Sequence, residues 1–132
     1  MKDYNILEID YNKTLCKTRK EALEKVGKSN ALLKDSLQSD PFLNQLEENR
    51  MFDFLEFACN CNMVAAQVRG EISVAIDPDE RASDIVIVSE MVELRPSVSK
   101  LFAKAVSFSD YFSVEPVEEN GLKLAMYFHF LF

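Results

Sequence analysis

Residues 121–132, GLKLAMYFHFLF, place an apolar side chain at every second position to the end of the stretch. In an extended chain successive side chains point to opposite faces, so Leu122, Leu124, Met126, Phe128, Phe130 and Phe132 line one unbroken apolar face. Such a strand needs a layer to pack on. Its opposite face, Lys123, Ala125, Tyr127, His129 and Leu131, turns from charged to mostly apolar. A strand apolar on both faces is ordinarily covered on both, so what covers it is the main structural question.

The preceding residues supply strands to pair with it. Asn120-Gly121 is the signature of a two-residue type I′ turn, whose two central residues need positive φ. That turn sets Glu118 opposite Lys123, Val117 opposite Leu124, Val114 opposite Tyr127 and Phe112 opposite His129. Pro116 cannot donate a ladder hydrogen bond, which assigns residues 111–117 to an edge. Upstream, Ile72, Val74 and Ile76 alternate with Ser73 and Ala75 as a strand does. A polar loop over 77–84 then leads to a strand over 85–94, which opens IVIV and is again apolar on both faces. Between the two hairpins, Pro96-Ser97 opens a helix in which Val98, Leu101, Phe102, Ala105 and Val106 keep the spacing of a one-sided helix.

The N-terminal half reads as helical. Residues 4–11 fit either period, Tyr4, Leu7 and Tyr11 a helix and Leu7, Ile9 and Tyr11 a strand, and the reading favours a helix continuous with the next. From Asn12 a stripe of Leu15, Thr18, Ala22, Val26, Ser29, Leu32, Leu33 and Leu37 faces inward, with a lysine- and glutamate-rich side outward. Ser39-Asp40-Pro41 combines a capping residue with Pro at the first helical position, so a second helix is expected from there to about Asn60. Met51, Phe52, Phe54, Leu55, Phe57, Ala58 and Cys59 surround that helix with apolar groups, the mark of a central core helix or of an association surface. Residues 61–69 suit either a helical extension or a strand, with Gly70 as helix stop or bulge respectively.

The fold expected is therefore α+β in a single domain over 1–132. Two N-terminal helices precede an antiparallel sheet of about four strands, ordered hairpin, helix, hairpin, with helices packed on it. A chain of 132 residues buries roughly two-thirds of its unfolded surface, enough for a true core.

Composition excludes more functions than it suggests. A net charge of −7 disfavours phosphate-backbone binding, which depends on clustered Lys and Arg, so no nucleic-acid partner is expected. Asp3, Glu8 and Asp10 break any leader-like start, and no apolar run approaches the ~20 residues that span a bilayer. Cys16, Cys59 and Cys61 are odd in number and lack a framework spacing, which fits reduced thiols in a cytoplasmic protein without membrane attachment.

Chemistry-bearing motifs are sparse. There is no G-x-S-x-G, P-loop, G-x-G-x-x-G or H-E-x-x-H, so neither an enzymatic role nor a cofactor is indicated. Cys59-Asn60-Cys61 lacks the second pair a zinc site needs, and Asp77, Asp79 and Glu80 lack the Gly and bidentate Glu of a calcium loop, so no metal is expected.

Two functional readings survive. In the first, three helices cannot cover both sheet faces, and the chain is a protein-interaction or homodimeric module burying Phe52 and Leu55 of the second helix, or the Tyr127 face of the sheet. In the second, Phe112, Val114, Tyr127, His129 and Leu131 line a small-ligand or catalytic pocket, an apolar wall with two convergent polar groups.

Overall fold

The computed structural model describes residues 4–10, 19–90, 96–117 and 123–132. Five strands form one antiparallel sheet: β1 (Tyr4–Asp10), β2 (Glu71–Asp77), β3 (Ala82–Glu90), β4 (Tyr111–Pro116) and β5 (Lys123–Leu131), in the order β1-β2-β3-β5-β4. Three helices, α1 (Arg19–Gln38), α2 (Glu48–Gln67) and α3 (Pro96–Phe108), lie on one side of it. The α+β class read from the sequence is the class observed. The strand count is larger by one, because 4–10 is a strand and not a helix. Leu7 sits opposite Val74 and Ile9 opposite Ile72, so pairing with β2 decides between two periods that the local pattern left equal.

The even-numbered face of β5 is core, as its alternation demands. Phe128 and Phe130 are 0% and 1% exposed, beside Ile72, Val74 and Ile76 of β2 and Ile85 and Ile87 of β3. Phe57 of α2 stacks on Phe130 at 5.2 Å between ring centroids, and Phe54 meets the same ring edge-on at 5.2 Å. Burying such rings is the largest single contribution a core of this size has.

The helix α2 is the central one, with Phe54, Leu55, Phe57, Ala58, Cys61, Val64 and Ala65 all buried. Apart from Phe52, which is exposed, its apolar circumference packs on α1, α3 and the sheet. It continues through the ambiguous stretch to Gln67, so 61–67 is helical. Its start is later than expected. Asp40 does cap, accepting from the Phe42 and Leu43 N–H groups at 2.9 and 3.1 Å, but it caps a short 3-10 turn over Leu43–Gln45. Leu46 then turns extended, and with Phe42 packs on the core before α2 begins.

The end of α2 shows why Gly70 is there. The Gly70 N–H donates to Ala65 O at 2.8 Å and the Arg69 N–H to Ala66 O at 3.2 Å, the paired bonds of a Schellman stop. Arg69 takes the left-handed position, with φ 53°. Gly70 serves a different need: a Cβ there would lie 2.7 Å from the Val88 carbonyl oxygen of β3. The β2–β3 connection is tighter than the loop read over 77–84. Pro78 follows Asp77, whose Oδ1 accepts from the Asp79 and Glu80 N–H groups at 3.1 and 3.2 Å, and Arg81 closes the turn at φ 52°. Strand β3 therefore begins at Ala82 and includes Asp84.

The last hairpin is one residue out of the expected register. Phe112 stands opposite Phe128 and Val114 opposite Met126, where the two-residue turn puts them opposite His129 and Tyr127. Asn120 and Gly121 themselves lie outside the described residues, as do Cys16 and residues 91–94 of the strand expected over 85–94. Packing settles the register: Phe112 meets Phe102 of α3 at 5.3 Å and Phe128 at 4.9 Å, contacts it makes only from the helix side. The Val117 N–H donates to the Lys123 carbonyl at 2.9 Å. That parity turns the backbone of 111, 113, 115 and 117 toward β5 and that of 112, 114 and 116 outward. The N–H that Pro116 lacks is thus one the ladder does not use, and β4 is an edge strand as expected.

Candidate functional site: the open face of the sheet

All three helices pack on the side of Ile72, Ile85 and Phe128, so none of them lies over the other face. That face is built in rows running across the strands. One row reads Glu8, Ser73, Val86, Tyr127 and Ser113; the next reads Glu71, Val88, Ala125 and Glu115; a third reads Ala75, Asp84, His129 and Tyr111. In the first two rows the apolar members Val86, Val88, Ala125 and Tyr127 fall on β3 and β5 and the carboxylates Glu8, Glu71 and Glu115 fall on β1, β2 and β4, whereas the third row carries its carboxylate, Asp84, on β3 itself. Ala125, paired with Val88, is 4% exposed although no described helix lies over this face.

Tyr127 and His129 are half-buried and neighbours on this face, as the alternation requires. The His129 Nδ1–H donates to Asp84 Oδ1 at 2.6 Å across the β3–β5 pair. With Nδ1 so engaged, the neutral ring offers Nε2 as an acceptor toward solvent. The pair is worth under about 1 kcal/mol, since Asp84 is 61% exposed and water screens it. Its effect is orientation. Around it, Tyr111, Ser113, Glu115, Tyr127 and Leu131 border a broad hollow of about 600 Å³.

The pocket read from the sequence is therefore half assembled. Tyr127, His129 and Leu131 come together, with Leu131 47% exposed at the end of the strand. Phe112 and Val114 are on the opposite face, Phe112 packed against the core and Val114 46% exposed at the sheet edge. Tyr111, Ser113 and Glu115 take their place. Asp84 joins them from the stretch that reads as a polar loop, because β3 starts at Ala82 and Asp84 shares the parity of Val86 and Val88. For β4 the signal was the polar character of Tyr111, Ser113 and Glu115 against the apolar Phe112 and Val114, which matches apolar to apolar only in the observed register.

Of the two residues read as an interface, Phe52 is 57% exposed on α2, whereas Leu55 is 5% exposed within the core. Among the described residues no group of three or more His, Cys, Asp and Glu is placed to hold a metal ion. Burial pushes the Cys61 thiol well above its ordinary pKa and raises Cys59 as well, against the lowering pull of Lys34, so neither is poised as a thiolate. No described helix is long and apolar enough to cross a membrane. Compared with protein-family models and with curated proteins, the chain matches none.

Proposed function

We propose that the chain is a protein-interaction module, binding a partner protein or a second copy of itself through the open face of its sheet. The observation that carries this reading is the central strip of Val86, Val88, Ala125 and Tyr127, which runs along β3 and β5 with no described helix over it. Antiparallel sheets do tolerate one solvated face, but that face is then polar. Here the two central strands keep β-branched and aromatic residues outward, the arrangement of a surface that is covered in use.

The test is a peptide-display selection against the immobilised chain, together with light scattering from micromolar concentration upward. Peptides or self-association lost on Val86→Lys support the reading. Selected peptides that bind the variant as well as wild type, with unchanged scattering, would overturn it.

A second reading rests on the oriented Asp84–His129 pair beside Tyr127 and Tyr111, a set of polar groups suited to a small ligand in the hollow they border. A thermal-shift screen against a metabolite library, repeated with His129→Ala, tests it. Hits unaffected by the substitution count against this site.

A further inference from the structure

The charge of the molecule is divided between its two layers. Among the described residues on the open face, Glu8, Glu71, Asp77, Asp84, Glu90 and Glu115 stand against a single lysine, Lys123, and His129 is already held by Asp84. The three helices together carry eight Lys and Arg against six Asp and Glu. The two layers carry equal numbers of carboxylates, but only the open face is left with net negative charge; Glu8, Glu71, Asp77 and Glu115 stand on β1, β2 and β4, and Asp84 and Glu90 stand on β3 toward the two ends of the Val86–Val88 strip. Glu71 on β2 and Glu115 on β4 share a row with Val88 and Ala125 between them.

Three strand spacings separate β2 from β4 through β3 and β5, about 14 Å at the usual ~4.8 Å per step. An α-helix with its side chains is about 10–12 Å across, so one helix laid along β3 and β5 fills the strip and brings its flanks to the two acidic borders. A single extended strand is too narrow to meet both. A second copy docked face to face would set carboxylates against carboxylates, which disfavours the self-complementary form of the interaction.

We infer that the open face of the sheet binds a basic amphipathic helix of a partner protein, its apolar side on Val86, Val88 and Tyr127 and its lysines or arginines on Glu71 and Glu115. This rests on the reading of the face as a docking surface, and it adds the chemistry and shape of the occupant. Charged flanks of this kind fix orientation and speed encounter, while the apolar strip supplies the lasting contact.

The test uses three labelled synthetic helical peptides of 18 residues, about 27 Å long at 1.5 Å per residue. One carries Leu on one side and Lys on the flanks, one has Glu in place of Lys, and one keeps Lys but has Gln in place of Leu. Fluorescence anisotropy is expected to show the Leu/Lys peptide binding at least about tenfold more tightly than either control. Glu71→Lys combined with Glu115→Lys, both at exposed positions, is expected to remove that preference, and Lys34→Glu on the helical layer to leave it intact. Equal binding of the Leu-free peptide would reduce the effect to bulk charge and overturn the inference. Tight binding of the Glu peptide, abolished by Val86→Lys, would overturn the basic partner while sustaining the docking face. Peptide binding or self-association indifferent to Val86→Lys would overturn the docking face itself.

Discussion

Three single residues can be tested without reference to function. Gly27 lies within α1, and a Cβ there would meet nothing within 4 Å. Gly27→Ala should therefore stabilise the fold by about 0.5–1 kcal/mol in a urea titration, through helix propensity and a less flexible unfolded chain. Gly70→Ala should act the other way and cost more than ~1 kcal/mol, since its methyl collides with the Val88 carbonyl. Cys61 sets a pH dependence. Its folded pKa is raised above the ordinary value of 9.0 by burial, so the neutral thiol's contribution is complete below that value and is lost as pH climbs toward the folded one. Stability measured across that range should fall more steeply for wild type than for Cys61→Ala, and native Cys61 should resist alkylation.

At the scale of elements, β5 packs Phe128 and Phe130 into the core, and Phe130→Ala should cost ~3–5 kcal/mol in denaturant titration. A loss below ~1 kcal/mol would show that its face is not packed as described. The legibility of the sequence follows the same logic. Helix α3 and the even face of β5 were readable because their apolar residues keep one period over many positions. Residues 4–10 were not, since seven residues satisfy two periods and only the β2 partner breaks the tie. The register of β4 follows side-chain matching and not the Asn120-Gly121 dipeptide, whose two-residue turn would place Phe112 and Val114 on the Tyr127 face. Asn62 was invisible for another reason. Fully buried in α2, it donates to Ser29 Oγ at 3.0 Å and to Asn30 Oδ1 at 2.7 Å, a bridge to α1 that no local pattern announces. Asn62→Ala should cost about 1–3 kcal/mol by leaving these polar partners without it.

For the whole molecule, the separation of a structural face from an open one predicts that the two can be altered independently. His129→Ala should shift stability by less than ~1 kcal/mol, because its contact with Asp84 is exposed, whereas truncation on the helix side of the same strand is costly. Thermal melts of His129→Ala and Phe130→Ala, adjacent in sequence, should therefore differ widely.

The division of charge between the layers also gives the molecule a preferred landing orientation. On a positively charged bead it should settle sheet-down, its six outward carboxylates against the support and its helical lysines toward the solvent. An amine-reactive label applied in that state should mark Lys28, Lys34, Lys100 and Lys104 ahead of Lys123, and salt sufficient to screen the contact should erase the difference.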